Sequence, residues 1–292
     1  MKPAIFDYHQ PDSIAQVLDL LKKYQGNAKI IAGGQSLAPM INMRMAHMQA
    51  LIDIHQLSEL SFIQDRNNAL EVGSLTTHHA VATSVLVQKN CPLLSYAAST
   101  IGHYVIRQRG TIGGSLCHAD PAAQMPLIAL TLGANFHIKG LENNRIVSAE
   151  DFYLGAMTSC LAEDEFLAGI SYPIISPETK WTFELFNRRH GDYAIVSVAL
   201  CVDYDKDHHV KNIRIGLNGT ADFAKDYSKE CQPYLNHKYT KDWLDDLCNH
   251  LIKQFTPFDD ERISATYRLE LAKKLIQNAF QRTYHLFNQA GK

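Results

Sequence analysis

Two glycine-rich segments carry the residue types that could bind a phosphate group. Residues 32–36 (AGGQS) and residues 111–115 (TIGGS) both pair adjacent glycines with hydroxyl side chains. Glycine lets backbone N–H groups approach an anion without obstruction by a Cβ atom, and a serine or threonine hydroxyl adds a donor. One such segment alone is more often an ordinary turn. Two of them predict that the chain binds one diphosphate, as in a dinucleotide.

The elements that must position these segments follow a mixed pattern. An amphipathic helix is predicted at residues 13–23, followed by a buried strand at residues 29–32 that ends at the first glycine segment. Further strands are predicted at residues 50–54, 70–74, 134–139 and 145–148, and helices at residues 77–89, 91–102 and 122–132. The second glycine segment is predicted to be a turn before the last of these helices.

The pattern changes after Pro173 and Pro177. Residues 194–204 and 210–218 resemble strands of one sheet, and residues 242–254 and 265–287 predict two closing helices. A separate C-terminal unit is therefore expected to begin near residue 177.

Composition excludes several classes of protein. The chain has 292 residues, 46% of them hydrophobic and 20% charged, which is typical of a globular protein. Its formal net charge of -2 provides no general basic excess for nucleic acid. The most apolar segment, residues 121–136, is too short and too polar for a membrane span, and residues 1–13 lack a signal-peptide pattern. We expect a cytoplasmic protein that binds no nucleic acid and has no membrane span.

Six cysteines are dispersed along the chain without a C-x-x-C pair. This spacing excludes the local signatures of zinc and iron–sulfur sites. In the expected compartment all six are predicted to be free thiols.

Several segments together resemble a known family. They are residues 30–44 (IIAGGQSLAPMINMR), 72–78 (VGSLTTH), 101–126 (IGHYVIRQRGTIGGSLCHADPAAQMP), 188–199 (RRHGDYAIVSVA) and 258–275 (FDDERISATYRLELAKKL). The chain resembles the FAD-binding medium subunits of molybdenum hydroxylases, such as carbon monoxide dehydrogenase and the flavin domain of xanthine dehydrogenase. Residues 218–256 depart most from the family pattern.

The resemblance implies an α+β fold. It predicts an FAD-binding domain of the PCMH or vanillyl-alcohol-oxidase type at residues 1–176, with two α/β subdomains at about 1–58 and 59–176. Residues 177–292 would form a CO dehydrogenase flavoprotein-type C-terminal domain with a three-stranded antiparallel sheet and a helical bundle.

The resemblance also implies a set of cofactor contacts. The two glycine segments would wrap the FAD pyrophosphate, Tyr193 would cover one face of the flavin ring, and Leu161 would contact that ring through its backbone. A core tyrosine is an equal alternative for Tyr193, and a helix cap is an equal alternative for Asp120. The implied FAD-binding residues are Ala32, Gly33, Gly34, Gln35, Ser36, Leu37, Thr111, Ile112, Gly113, Gly114, Ser115, Asp120, Gln124, Leu161 and Tyr193.

Two positions depart from the family pattern. Gln124 stands where the family commonly has an acidic residue, and it keeps hydrogen bonding without the charge. Glu184 stands where the xanthine dehydrogenase branch has a lysine near the flavin ring. Glutamate there favours the carbon monoxide dehydrogenase branch.

The implied function is that of an electron-transfer subunit, because the redox chemistry belongs to FAD and no catalytic side chain or metal site is required. Molybdopterin would lie on a large partner and [2Fe-2S] clusters on a small partner. Electrons would leave the flavin for an external acceptor such as NAD, a quinone, a protein carrier or oxygen. The alternatives are a stand-alone flavin oxidase or reductase and a redox-inert FAD-binding assembly module. A Rossmann dehydrogenase is the weakest alternative, because no GxGxxG motif follows the first predicted strand.

Other polar clusters suggest no site. Residues 117–120 (CHAD) lack a third converging ligand. The pairs His78-His79 and His208-His209 are typical of solvated surface turns.

Overall fold

The computed structural model describes residues 2–261 and 263–290, so the outermost predicted domain limits, Met1 and Lys292, lie outside the described residues. Three main sheets and three hydrophobic clusters organise the described chain. The predicted α+β fold is confirmed.

The first subdomain is a small parallel sheet covered by one amphipathic helix. Its elements are β1 (Asp7–His9), α1 (Ile14–Tyr24), β2 (Ala28–Ile31), α2 (Leu37–Asn42) and β3 (Ala50–Asp53). The strand order is β1-β3-β2, with both pairs parallel. The Ser13 hydroxyl caps α1, which buries Val17, Leu18 and Leu21 in one cluster with residues of the sheet. This packing holds the end of β2, from which the first glycine segment leaves.

The second subdomain is built on a five-stranded antiparallel sheet. Its strands are β4 (Ile63–Arg66), β5 (Ala69–Gly73), β6 (Asn135–Gly140), β7 (Asn144–Ser148) and β10 (Glu165–Pro173). They are ordered β4-β5-β10-β6-β7. Between β7 and β10 lie α9 (Ala149–Phe152), β8 (Tyr153–Gly155) and β9 (Thr158–Ser159).

Six helices connect β5 to β6. They are α3 (His78–Thr83), α4 (Val85–Asn90), α5 (Pro92–Ser99), α6 (Tyr104–Arg109), α7 (Ile112–His118) and α8 (Gln124–Leu132). The single helix predicted at residues 77–89 is wrong, because Ser84 adopts an extended conformation and divides it into α3 and α4. The Ser84 hydroxyl accepts a hydrogen bond from Val87 N, and such local bonding favours a helix start over a helix interior.

Helix α8 joins the second subdomain to the C-terminal sheet. Almost all of its residues are buried, because it packs against both units. The Asn218 side chain donates to Ala123 O at 3.0 Å, and the Arg214 guanidinium donates to Leu132 O at 2.9 Å. Hydrogen bonds from one strand therefore fix both ends of the helix that begins at Gln124.

The C-terminal domain consists of an antiparallel sheet and two helices. Its elements are β11 (Lys180–Phe186), β12 (Val196–Tyr204), β13 (Val210–Asn218), β14 (Lys225–Asp226), α10 (Lys241–Ile252) and α11 (Ala265–Ala290). The three long strands agree with the predicted three-stranded sheet, and β14 adds a two-residue edge that is too short to leave a periodic pattern. On β12, Val198 and Leu200 face the core of α10 and α11, whereas Ala199 and Cys201 join the core of the second subdomain.

No helix within residues 2–261 and 263–290 is long and apolar enough to cross a membrane. All six cysteines are free thiols.

Candidate flavin site

One cleft brings the two glycine segments together. Its volume is about 730 Å³, and its wall includes residues of all three units, from Leu21 to Tyr193. Every predicted FAD-binding residue lines it except Ile112, which is fully buried in the core of the second subdomain. The Ile112 side chain therefore makes no contribution to the cleft wall.

The first glycine segment presents unpaired backbone donors to this cleft. In the described part of the chain, the N–H groups of Gly33, Gly34, Gln35 and Ser36 donate to no protein acceptor. Gly34 has a φ of +69°, in the left-handed region that glycine adopts easily. Successive N–H groups in such a loop form a concave anion-binding surface. The segment can therefore hold a phosphate group without a lysine.

The second glycine segment is a helix start and not the predicted turn. Thr111 caps α7, and its Oγ1 accepts from Gly114 N at 3.1 Å. The N–H groups of Ile112 and Gly113 donate to Thr76 O and Ser74 O, each at 2.9 Å. Because these donors are already used, the segment offers mainly the side chains of Thr111 and Ser115 to the cleft. The two segments therefore differ in the backbone donors that they leave free.

Close packing explains why positions 33 and 113 are glycines. A Cβ atom on Gly33 would lie 2.0 Å from the carbonyl oxygen of Arg109, and one on Gly113 would lie 2.5 Å from Ser74 Cβ. The first contact joins the first glycine segment to the end of α6, two residues before the second segment.

Ser74 and His78 add buried polar groups to the same wall. They are 3% and 4% exposed, and both line the cleft. Ser74 Oγ and His78 Nδ1 have no hydrogen-bond partner among the described residues. An unsatisfied buried polar group costs about 1–3 kcal/mol. The expectation that His78 lies in a solvated turn is wrong. The sequence feature that could have indicated a role in the cleft for both residues is their place in residues 72–78 (VGSLTTH).

Burial keeps the His78 imidazole neutral. It lowers the pKa of His78 to about 4, and the nearby positive charge of Arg107 acts in the same direction. At neutral pH the ring has one donor and one acceptor nitrogen and carries no charge.

Tyr193 reaches the cleft from the C-terminal domain. The residue is 56% exposed, and it lines the cleft. Its pKa is raised, first by burial and then by the negative charge of Asp120, while a hydrogen bond with Ser36 acts in the opposite direction. Tyr193 thus lies near residues that adjoin both glycine segments.

Three further predicted residues line the cleft. Asp120 and Gln124 lie between the end of α7 and the start of α8, and Leu161 follows β9. Asp120 lines the cleft, and its Oδ1 accepts from Ala122 N at 2.8 Å within the loop before α8. The helix-cap interpretation is wrong, because α8 has Ala123 as its N-cap and no side-chain cap. Gln124 is 6% exposed at the start of α8. Leu161 also lines the cleft.

Glu184 does not line the cleft. Its Oε1 accepts from Arg282 Nη1 at 3.1 Å and from Thr182 Oγ1 at 3.2 Å. The side chain therefore joins the sheet to α11 and makes no contact with the cleft.

An ion pair closes another part of the wall. Glu165 lines the cleft and accepts two hydrogen bonds from Arg145, each at 2.8 Å. These bonds hold the pKa of Glu165 below its usual value. The carboxylate is therefore charged at neutral pH.

A different cluster lies on the hairpin between β12 and β13. Ligand atoms of Asp205, Asp207 and His209 lie within 4.8 Å of one another. Asp205 already accepts from the backbone N–H groups of Asp207 and His209, as in an ordinary polar turn.

Two protein-family models match successive parts of the chain. The FAD binding domain in molybdopterin dehydrogenase matches residues 4–175, and the CO dehydrogenase flavoprotein C-terminal domain matches residues 181–283. The caffeine dehydrogenase subunit beta of Pseudomonas sp. (strain CBB1) is 32% identical over 283 residues, covering 97% of this chain and 96% of that protein.

Two further proteins are similar over nearly their whole length. The carbon monoxide dehydrogenase medium chain of Hydrogenophaga pseudoflava is 32% identical over 279 residues, covering 96% of this chain and 97% of that one. The structure of quinoline 2-oxidoreductase from Pseudomonas putida 86 superposes with a TM-score of 0.93 at 32% identity, covering 98% of this chain and 99% of that chain. The chain therefore belongs to the FAD-binding medium subunits of the molybdenum hydroxylases, a family of oxidoreductases.

The residues of the cleft fit the FAD of this family. The volume of about 730 Å³ lies within the range of roughly 300–1,000 Å³ that is typical of ligand pockets. Free N–H groups at residues 33–36 suit a diphosphate, and the unpartnered polar atoms of Ser74 and His78 suit a ligand that carries donors and acceptors.

Proposed function

We propose that this chain is the electron-transfer subunit of a heteromeric molybdenum hydroxylase. It would receive electrons from [2Fe-2S] clusters on a small partner and pass them to an external acceptor, while a large partner carries molybdopterin and oxidises the substrate. The observation that carries the proposal is the row of unpaired N–H groups from Gly33 to Ser36 in the cleft of a chain of this family. FAD supplies the redox chemistry when bound.

The residues of the chain have binding and orienting roles. The N–H groups of residues 33–36 hold one side of the diphosphate, and the side chains of Thr111 and Ser115 hold the other side. Ala32, Leu37 and Leu161 shape the cleft, and Gln124 and Asp120 offer hydrogen bonds to the ligand.

Tyr193 controls access to the flavin ring in this proposal. Its ring is large and flat, and its hydroxyl interacts with Ser36 of the first glycine segment. A side chain that comes from the C-terminal domain and reaches the first subdomain can cover a ligand held between them. It would exclude water from one ring face.

Partner subunits are needed because the chain has no cluster of cysteines. Its thiols are all free. Within residues 2–261 and 263–290, no cysteine belongs to a group of side chains that could hold a metal ion. Relatives carry the names subunit beta and medium chain, which indicate multi-subunit proteins. Large and small partners, a cytoplasmic location and a domain boundary between residues 176 and 177 are parts of this proposal.

The test uses the chain purified in complex with its partner subunits. Under anaerobic conditions, substrate of the large subunit is expected to bleach the flavin absorbance near 450 nm at a rate compatible with turnover. Complex that keeps its flavin oxidised while its iron–sulfur signals are reduced would favour a redox-inert assembly module. The isolated chain is the comparison: rapid bleaching by NADH without partners would favour a stand-alone reductase.

A further inference from the structure

The turn that joins β5 to the first residue of α3 contributes two buried polar side chains, Ser74 and His78, which belong to neither glycine segment. Ser74 and His78 are each more than nine-tenths buried, both line the cleft, and each has one polar atom without a partner among the residues described. Other buried serines on the chain differ from Ser74. Ser95 donates its hydroxyl to Ala82 O at 2.8 Å, and the unpaired Ser197 does not line the cleft.

Backbone hydrogen bonds fix this turn against the second glycine segment. Ser74 O accepts from Gly113 N and His78 N donates to Gly110 O, each at 2.9 Å. The imidazole packs on Gly110, where a Cβ atom would lie 3.0 Å from His78 Cδ2. The turn and the segment that begins α7 therefore form one rigid wall, and a ligand that contacts one must pass beside the other.

We propose that Ser74 and His78 form a third binding segment for FAD, in addition to the two glycine segments. The inference rests on the proposed function and assigns two residues to the same cleft. A rotation of the Ser74 hydroxyl or a half turn of the imidazole presents each unpartnered atom to a ligand in the cleft. The site selects a neutral, hydrogen-bonding part of FAD here, because the wall offers no charge at these positions. The phosphates remain with residues 33–36.

Ser74→Ala gives the sharpest test, because it removes only a hydroxyl that has no partner in the ligand-free chain. FAD affinity of the full-length chain is measured by quenching of flavin fluorescence, and unfolding of the ligand-free chain by its melting temperature. We expect binding to weaken about three- to tenfold. The melting temperature without FAD should be unchanged or higher. Ser197→Ala is the matched control and should leave FAD affinity unchanged.

His78 is tested with its neighbour as the control. His78→Ala should weaken FAD binding about tenfold, whereas His79→Ala should not, because His79 lies outside the cleft wall. His78→Asn keeps a hydrogen-bonding group near the position of Nδ1 and should recover most of the affinity. His78→Leu, which fills the space without a hydrogen-bonding group, is the test variant if His78→Ala fails to fold.

The outcomes separate this inference from the proposed function. Wild-type chain that binds no FAD overturns both. Wild-type chain that binds FAD no more tightly than Ser74→Ala and His78→Ala overturns only the third segment, and so does a His78→Asn variant that binds as weakly as His78→Ala. Equal loss of melting temperature with and without FAD also overturns it, since a structural role alone would produce that result.

Discussion

Gly33 lies against the backbone of Arg109 so closely that a Cβ atom would approach its carbonyl oxygen to 2.0 Å. The contact joins the loop after β2 to the end of α6, and so it joins two segments that are far apart in the sequence. It also fixes the orientation of the unpaired N–H groups that follow Gly33. The geometry of the proposed diphosphate site thus depends on a position that only glycine can occupy.

Gly33→Ala is expected to disrupt the site. The new methyl group must push the two segments apart, which costs about 1–3 kcal/mol of unfolding free energy and misaligns the N–H groups. FAD affinity should fall at least about tenfold. Gly169→Ala is the control, because its Cβ atom would meet neighbours at 3.4 Å or more. Calorimetric titration with FAD measures both, and equal affinity of the two variants would contradict the account.

The Thr111 hydroxyl is expected to stabilise the start of α7. Its Oγ1 accepts from Gly114 N, so Thr111→Val leaves a helix donor unpaired and should cost about 1 kcal/mol. Thr111→Ser keeps the acceptor and should restore most of that stability. Urea unfolding of the ligand-free chain measures the difference. A valine variant as stable as the serine variant would show that the cap has no energetic role.

Acid should destabilise the chain partly through His78. The pKa of His78 is lowered from 6.5 to about 4 by folding, so between these pH values the unfolded chain binds a proton that the folded chain does not. Stability is therefore lost as the pH falls from about 6.5 to about 4, by up to roughly 3 kcal/mol from this residue. Urea unfolding across this range should show a weaker pH dependence for His78→Asn. An unchanged slope would contradict the buried, neutral imidazole.

Arg268 is expected to stabilise the strand that follows Tyr193. It is 6% exposed, donates to Ile195 O at 2.9 Å, forms an ion pair with Asp260 and lies 4.6 Å from the centre of the Phe258 ring. Arg268→Lys loses the forked geometry and should cost about 2 kcal/mol.

Arg282→Lys is the control for that substitution, because the pair of Arg282 with Glu184 is more exposed and should change stability by less than about 1 kcal/mol. Thermal unfolding compares the two. The same small effect of both substitutions would contradict this role of Arg268.

The sequence predicted the long elements well because their patterns are local. Strand β13 and helices α1 and α8 follow from apolar spacing, and the glycine segments mark the cleft. Helix α7 was predicted as a turn because paired glycines are poor helix formers, yet Gly113 is required by its contact with Ser74. At α7, tertiary packing therefore outweighs the low helix propensity of glycine.

The site could be predicted only in part. Fourteen of the fifteen residues that the family resemblance implied line the cleft. The resemblance did not indicate that Thr76 and Ser74 accept from the N–H groups of Ile112 and Gly113. Sequence spacing does not show which donors are already paired. For the same reason it did not distinguish the buried His78 from the partly exposed His79.

The most direct test of the central claim is the flavin content of the purified full-length chain after incubation with FAD and removal of unbound ligand. Wild-type chain is expected to show a flavin absorbance spectrum at about one FAD per chain, reducible by dithionite, and Gly33→Ala should retain much less FAD. A folded wild-type chain that retains no FAD would contradict it.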